Sequence, residues 1–376
     1  MANDQRLPTS DQHPIEIRPA DVALTSPRLN SWLEHLVAEK GSDLLLVSGA
    51  PPSIRHDGIV RAIDTQVLAG SDIEATVLPA MHPGARQDFH EAQIADSSYR
   101  VPGLGRFRIN LHHQRGMAAA AIRALPADVP ALGDLNLPSA VENLASLQRG
   151  LVLVGGPAGS GKSTTVAALI HQINQQHPRH IVTIEDPIEY EHTHLRSMVE
   201  QVEVGIDAPD FPTALRAALR QAPDVIVVGE MRDAETMRIA VAAAETGHLV
   251  FSTLHTTDVA STVSRISDSF PLERQNTIRQ ELAMALTAVM TQNLLPGKQG
   301  GRVPAAELLL VGYGARQHIR RNALQHLSQE ITLTKSKGSF SLEESLAQLV
   351  RKGQIDREDA LQYANHVDDL TTLLKT

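Results

Sequence analysis

The feature that most constrains this chain is the segment 151–167, LVLVGGPAGSGKSTTVA. Its first five residues predict a buried strand, and residues 156–163 match the phosphate-loop pattern G-x-x-x-x-G-K-[ST]. Apolar residues then recur at helical spacing, which predicts a helix that begins at the loop. A Gly-rich turn with an incidental lysine is the alternative, but strand, glycines, lysine, serine and helix all agree with a phosphate loop.

Each residue type in this loop has a physical reason to be there. The glycines Gly156, Gly159 and Gly161 let the backbone fold tightly and point its N–H groups at phosphate oxygens, at the positive end of the helix. Lys162 can reach the β- and γ-phosphates, and the hydroxyl of Ser163 can ligate Mg²⁺. The sequence therefore predicts a site for a nucleoside triphosphate with Mg²⁺.

Composition limits the class of protein. The chain has 376 residues, 42% hydrophobic and 20% charged, which suits a soluble protein of two or three domains. No stretch approaches the roughly 18 consecutive apolar residues of a membrane span, and the N-terminus lacks the basic start and apolar core of a secretory signal. Without cysteine there is no disulfide and no thiolate metal site, so we expect a cytoplasmic protein. A net charge of -9 and 3% aromatic residues argue against a nucleic-acid partner.

The pattern of elements predicts four parts. Residues 1–27 are polar and contain prolines, which predicts a mobile tail. Residues 28–127 mix strands and helices without regular alternation, which predicts a compact α+β domain, and 128–140 form a proline-containing linker. Residues 141–376 alternate strands with helices, which predicts an α/β fold with a parallel sheet covered on both faces and C-terminal helices.

The individual elements follow from hydrophobic spacing and turn residues. In the first domain the predicted helices are 29–39, 73–81 and 85–92, and the predicted strands are 43–47, 53–56, 59–63, 94–101, 106–112 and 118–125. In the second domain the predicted strands are 151–155, 180–184, 224–228, 249–253 and 305–311, with a helical tail over 341–374.

Acidic residues follow two of these strands. Glu185, Asp186 and Glu189 come just after the strand 180–184, and Glu230 follows the strand 224–228. Ligands bind at the carboxyl edge of such a sheet, so these acids can face Mg²⁺ or orient the attacking water. The alternatives are a solvated acidic loop for the first group and a surface glutamate after a core strand for the second.

Two histidines lie at opposite ends of the strand 249–253. His255 is at the carboxyl end, where it could contact the γ-phosphate, whereas His248 is at the amino end. We do not expect them to share a metal. An ordinary hydrogen-bonding role is equally open for His255 and is favoured for His248.

Several arginines could stabilise charge on a nucleotide. Arg216 and Arg220 are four residues apart on a predicted helix and are expected to share a face, which could supply charge to a neighbouring subunit's nucleotide. Further arginines cluster in the last two strands of the first domain: Arg106, Arg108, Arg115 and Arg123. Each could equally be an ordinary surface cation.

Five motifs follow one another along the chain: GPAGSGKSTT, TIEDPIEY, LRAALRQAPDVIVVGEMRDAETMRIA, AAETGHLVFSTLHTT and DSFP. In this order they resemble those of the type IV pilus retraction ATPases, the PilT family of the secretion ATPase superfamily. The resemblance is densest from 150 to 271, and GSDLLLVSGAPPSIRHDG and GRFRINLHHQRG are similar to that family's PAS-like N-terminal module. It implies a RecA-like P-loop ATPase domain with a parallel-dominated sheet behind a small PAS-like α+β domain.

The resemblance also implies roles. The resemblance implies that nine residues form the Walker A loop: Gly156, Pro157, Ala158, Gly159, Ser160, Gly161, Lys162, Ser163 and Thr164. Glu185, Asp186 and Glu189 become the acidic Asp box, with Glu189 activating water, and Glu230 becomes the Walker B acid that acts with Mg²⁺. His248 and His255 belong to the nucleotide-sensing His box. Charge-stabilising contacts, some from the adjacent subunit, fall to Arg108, Arg115, Arg123, Arg216 and Arg220.

The family implies a mechanical activity. It works as a homo-hexameric ring that hydrolyses ATP and drives pilus disassembly at the inner membrane, which implies a cytoplasmic, membrane-peripheral location and a platform protein as partner. Two departures bear on this: Gln201 is followed by Val202 rather than arginine, and the family's retraction helix is represented by ARQHIRRN, 315–322, without its acid. An accessory paralogue beside another motor is therefore an alternative.

Other classes remain open from the sequence. An assembly or secretion ATPase of the same superfamily commonly carries a four-cysteine zinc insert, which this chain lacks. A non-catalytic ATP-binding scaffold is opposed by the intact Glu189 and Glu230. A nucleic-acid translocase is opposed by the composition.

Overall fold

The computed structural model describes residues 26–375, which form two compact units that divide between Ala124 and Leu125. The predicted tail 1–27 lies outside the described residues except for Ser26 and Pro27. Among the helices formed by residues 26–375, none combines the length and the apolar composition that crossing a lipid bilayer requires.

The first unit is a six-stranded antiparallel sheet with helices packed against it, in the order β3-β2-β1-β6-β5-β4. Its elements are α1 (Pro27–Ala38), β1 (Asp43–Val47), β2 (Ser53–His56), β3 (Ile59–Ala62), α2 (Gly70–Val77), α3 (Pro83–Ala92), β4 (Ile94–Val101), β5 (Gly105–Gln114) and β6 (Met117–Ala124). Leu29, Leu33 and Leu36 on one face of α1 are buried in the same core as Leu44 and Leu46 of β1. The apolar residues whose spacing predicted α1 therefore form the face that the helix buries.

The second unit is a seven-stranded sheet in the order β13-β12-β7-β11-β10-β8-β9. Its strands are β7 (Gly150–Gly155), β8 (His180–Glu185), β9 (Met198–Glu203), β10 (Val225–Val228), β11 (Leu249–Leu254), β12 (Leu286–Pro296) and β13 (Arg302–Leu310). Its α-helices are α4 (Lys162–Gln176), α5 (Phe211–Ala218), α6 (Ala234–Glu245), α7 (Val259–Asp268), α8 (Leu272–Ala285), α9 (Tyr313–Arg320), α10 (Leu327–Leu333), α11 (Leu342–Arg351), α12 (Arg357–Tyr363) and α13 (Val367–Lys375).

Strand β7 shows why this sheet forms. All six of its residues are buried, with Leu151 and Leu153 in the core on one face and Val152 and Val154 in the core on the other. A strand covered on both faces needs a continuous apolar run, and parallel strands in α/β domains are covered in this way. The sequence of β7 therefore places it in the middle of the sheet, next to β11 and β12.

The prediction of an α/β fold is confirmed, but the predicted sheet was incomplete. Six strands run parallel, whereas β13 pairs antiparallel with β12. Strands β9 and β12 were not predicted. Residues of β12 follow α8 directly, without a turn residue, so the change from helix to strand depends on pairing with β7 and β13.

Candidate active site

The phosphate loop joins the carboxyl end of β7 to α4 through residues 156–161. Gly156 has φ +149°, and a Cβ atom there would lie 2.4 Å from both the main-chain oxygen of Gln292 and Oγ of Ser160. Gly161, which precedes the helix, has φ +86°, and a Cβ atom there would lie 2.8 Å from Nε2 of Gln292. Both positions require glycine because the loop lies directly against β12.

The ammonium group of Lys162 is held inside the loop. Its Nζ donates hydrogen bonds to the carbonyls of Gly156, at 2.8 Å, and Pro157, at 2.9 Å. Burial lowers the pKa of Lys162, and the negative charges of Glu230 and Glu189 oppose that shift. The ammonium group therefore lies within the electrostatic influence of two acids. From this position it could exchange its hydrogen bonds to the two carbonyls for hydrogen bonds to phosphate oxygens.

His255 lies between this ammonium and the carboxylate of Glu230. Its Nδ1 is 3.3 Å from Nζ of Lys162, and its Nε2 is 3.4 Å from Oε1 of Glu230. An ammonium can only donate, so Nδ1 of His255 accepts and Nε2 carries the hydrogen that faces Glu230. The neighbouring positions of β10 and β11 in the sheet bring these two residues together.

Arg232 links Glu230 to the loop that follows β8. Its Nε is 3.0 Å from Oε2 of Glu230, and its Nη1 is 3.5 Å from Oδ2 of Asp186. The guanidinium thus bridges two of the acids that were predicted to serve Mg²⁺. The sequence analysis missed Arg232, although its position two residues after Glu230 in the GEMRD segment was a usable signal.

Glu185 has both carboxylate oxygens engaged by the chain. Oε1 accepts from the Thr183 hydroxyl at 2.7 Å and from Nε2 of Gln201 at 3.3 Å, and Oε2 accepts from the main-chain N–H of Glu189 at 3.4 Å. Burial raises the pKa of the Glu185 carboxyl, against the opposing effect of these hydrogen bonds. This arrangement favours a role for Glu185 in positioning the acidic loop over a role as a metal ligand.

The acidic loop that carries Glu189 is held at two further points. Gln201 donates to the carbonyl of Tyr190 at 2.8 Å and accepts from the main-chain N–H of His192 at 2.7 Å. The hydroxyl of Tyr190 lies 3.0 Å from Oγ1 of Thr164, in the first turn of α4. Glu189 is therefore carried on a loop that is tied to the phosphate-loop helix.

His248 is separated from these groups by the length of β11. Its Nδ1 lies 3.0 Å from the carbonyl of Ala243 and 3.4 Å from Oγ1 of Thr246, at the end of α6. The structure thus gives His248 the ordinary hydrogen-bonding surroundings that the sequence favoured.

Of the two arginines predicted to lie on one helix of the second unit, only Arg216 lies on a helix. Arg216 is on α5 and forms an ion pair with Glu235 at 2.6 Å, but α5 ends at Ala218. Arg220 lies in the turn that follows, and its N–H bonds to the carbonyl of Ala217. The prediction that one helix carries both arginines was wrong, because α5 ends before Arg220 and the chain turns at Ala222, which has φ +54°.

The four candidate arginines of the first unit lie on β5, on β6 and in the turn between them: Arg106, Arg108, Arg115 and Arg123. Arg108 is 3.4 Å from Asp96, and Arg123 is 2.9 Å from Asp43. Arg115 is in the turn, with φ +52°. These side chains belong to the first unit and the phosphate loop to the second.

Comparison with known proteins places these features in a family. A family model described as type II/IV secretion system protein matches residues 121–361. The chain is 43% identical over 336 residues to the type IV pilus retraction ATPase PilT of Pseudomonas aeruginosa, covering 89% of this chain and 98% of that protein. It is 38% identical over 344 residues to the type IV pilus ATPase PilU of the same organism, covering 91% and 90%. The crystal structure of the pilus retraction motor PilT with bound ADP superposes with a TM-score of 0.83 at 43% identity, covering 91% of this chain and 98% of that one.

Proposed function

Because the chain belongs to the PilT family of type II/IV secretion ATPases, we propose that it is a motor that hydrolyses ATP to drive type IV pilus retraction. One observation carries the proposal: Lys162 of the phosphate loop, His255 and Glu230 form a continuous chain of contacts at the carboxyl edge of the sheet. These contacts link Lys162, which would bind the phosphates, to Glu230, which would act with Mg²⁺ in hydrolysis.

The loop fits a nucleoside triphosphate. Its backbone turns at the start of α4, where the helix supplies positive potential, and Lys162 adds a cation. On binding, the ammonium exchanges the carbonyls of Gly156 and Pro157 for the β- and γ-phosphate oxygens.

Mg²⁺ fits the same edge. Within residues 26–375, no group of three or more acidic or histidine side chains is arranged to hold a metal on its own. Mg²⁺ in phosphate sites is held by one or two carboxylates together with phosphates and water, so such a group is not required. The exposed hydroxyl of Ser163 and the carboxylates of Glu230 and Asp186 are the oxygen donors that would hold it, and the ion would neutralise charge on the phosphates.

Hydrolysis is assisted by a residue that orients the attacking water or accepts its proton. A water molecule attacks the γ-phosphorus, the bond to the ADP oxygen breaks, and Glu189 takes the proton of the water. His255 would contact the γ-phosphate, a role supported by its distances of 3.3 Å to Lys162 and 3.4 Å to Glu230. Glu185 and Gln201 would hold the acidic loop in place, a role supported by their hydrogen bonds to each other and to the main chain of that loop.

Membership of the family is the support for a proposed ring and its partners. We propose a homo-hexamer on the cytoplasmic side of the inner membrane that acts on a platform protein there. Charge from an adjacent subunit would come from among Arg108, Arg115, Arg123, Arg216 and Arg220. Arg216 would have to leave Glu235 to do so.

The test is complementation of a strain that lacks its retraction motor. The chain should restore twitching, and Lys162→Ala should not. Lys298→Ala removes an exposed lysine that pairs with Asp356, and it should restore twitching like the unchanged chain. Restoration by Lys162→Ala would overturn the proposal.

An accessory role beside a second motor is the alternative that one observation favours. In α9, Arg316 donates to the carbonyl of Met284 at 2.7 Å and Arg320 to its sulfur at 2.9 Å, so both retraction-helix arginines are engaged at the end of α8. An accessory protein would show ATP turnover but would restore twitching only when a second retraction motor is present.

A further inference from the structure

Strand β12 presents a buried amide to the phosphate loop. Gln292 is 3% exposed, its Nε2 donates to the carbonyl of Ser160 at 2.7 Å, and its Oε1 accepts from the hydroxyl of Thr165 at 2.8 Å. The sequence analysis did not single out Gln292, because β12 itself was not predicted. No step of the proposed hydrolysis uses it.

The first hydrogen bond fixes the direction of one loop peptide. In a trans peptide the carbonyl of one residue and the N–H of the next point in opposite directions. The Ser160 carbonyl points at Gln292, so the N–H of Gly161 points away from β12. The loop acts by pointing its N–H groups at phosphate, and this bond therefore sets the orientation of one of those donors.

The second hydrogen bond ties the same amide to α4. Thr165 lies in the first turn of that helix, and its hydroxyl is fixed on Oε1 of Gln292. The strand beneath is held in turn, because Thr291 of β12 pairs with Gly155 of β7. One side chain thus joins the loop, its helix and the sheet, and its amide supplies the donor for one bond and the acceptor for the other.

We propose that Gln292 is a positioning residue for nucleotide binding, which acts by holding the Ser160–Gly161 peptide with its N–H toward the phosphates. The inference rests on the proposed function, since it assumes that the loop binds a nucleotide. It predicts that loss of the amide weakens nucleotide binding in a protein that is otherwise folded.

The experiment compares Gln292→Met with the unchanged chain, using a fluorescent ADP analogue with Mg²⁺ for affinity and steady-state ATP turnover. Methionine fills a similar volume without either hydrogen bond. We expect the dissociation constant and KM to rise about tenfold, with kcat within about twofold, because the loop donors bind ground state and transition state alike.

The matched control is Gln275→Met. Gln275 also donates its amide to a main-chain carbonyl, that of Phe270, at 3.1 Å, but it does so on α8. The dissociation constant of Gln275→Met for the ADP analogue should equal that of the unchanged chain. Thr165→Val removes only the bond to α4 and leaves the bond to Ser160, so its effect should be smaller than that of Gln292→Met.

A purely structural role would give a different result. Gln292→Met would then melt at a lower temperature while its folded fraction bound the analogue with unchanged affinity, and that result would overturn the inference. If Gln292→Met does not fold, Gln292→Glu serves, because a carboxylate keeps the acceptor for Thr165 but cannot donate to Ser160. Failure of the unchanged chain to bind the analogue would instead defeat the proposed function.

Discussion

The Nδ1 atom of His255 lies 3.3 Å from the ammonium nitrogen of Lys162. The two residues are 93 positions apart in the chain, and they meet because β7 and β11 are neighbours in the sheet. Through its other ring nitrogen His255 faces Glu230. The contact between the phosphate loop and the acid after β10 therefore passes through one imidazole.

His255→Ala should reduce ATP turnover about 10- to 100-fold, as expected for the loss of a hydrogen bond to a charged group in the transition state. ADP affinity should change less than threefold, because ADP lacks the γ-phosphate that His255 is proposed to contact. His248→Ala is the contrast. It removes an imidazole at the far end of β11, so turnover per folded molecule should stay close to that of the unchanged chain. Equal losses in the two variants would contradict the assignment.

Arg232→Ala should affect turnover more than stability. The guanidinium is 61% exposed, so its pairs with Glu230 and Asp186 contribute at most about 1 kcal/mol to the free energy of unfolding. The guanidinium contacts both carboxylates and helps to orient them. Because its removal leaves them less well oriented, kcat should fall about tenfold or more. The Mg²⁺ concentration for half-maximal turnover should fall as well, because a competing cation is gone. Arg238→Ala, at an exposed position on α6, should change neither value.

The Tyr190–Thr164 contact should show energetic coupling. A double-mutant cycle with Tyr190→Phe, Thr164→Val and the double variant removes only the hydroxyls that lie 3.0 Å apart. We expect a coupling of about 0.5–1.5 kcal/mol in the free energy of urea unfolding. Strictly additive effects would mean that the acidic loop is not tied to α4 by this pair.

Glu307→Gln should change the pH dependence of stability. Burial is the main cause that raises the pKa of Glu307, while its Oε1 accepts from the Val259 N–H and the Thr291 hydroxyl, both at 2.9 Å. A raised pKa means that the folded state binds the proton more tightly than the unfolded state, so this carboxyl costs stability as the pH rises above its unfolded pKa. Glutamine keeps an acceptor for both bonds and carries no charge.

The free energy of unfolding of Glu307→Gln, relative to that of the unchanged chain, should therefore increase as the pH rises above the unfolded pKa of a glutamate, about 4.3. Denaturant titrations at several pH values measure it. A difference that does not vary with pH would show that Glu307 has the same proton affinity in the folded and unfolded states.

The local features of the site could be predicted from sequence because they are contiguous. The strand, the loop and the helix over 151–167 are defined by residues that follow one another, and the structure places β7 and α4 there. The acids Glu185 and Glu230 likewise come at the end of a strand or just after it. These positions depend on hydrophobic runs and turn residues, which a single sequence displays.

The contacts between those features could not be predicted. The Lys162–His255 contact requires β7 and β11 to be neighbours in the sheet, and the hydrogen bond from Gln292 to the loop requires β12 to pair with β7. No turn residue separates the segment 286–296 from α8, so its strand conformation depends on pairing with β7 and β13. Arg220 shows the opposite error, because a spacing of four residues fits a helix that in fact ends at Ala218.

The central claim is that the loop between β7 and α4 is the nucleotide site. It is tested most directly by calorimetric titration of the purified protein with ADP and Mg²⁺. We predict one binding site in each unchanged chain, the same affinity in Lys298→Ala, and an affinity about 10- to 100-fold lower in Lys162→Ala, for the loss of a charged donor. Equal affinity in Lys162→Ala and the unchanged chain would contradict the account.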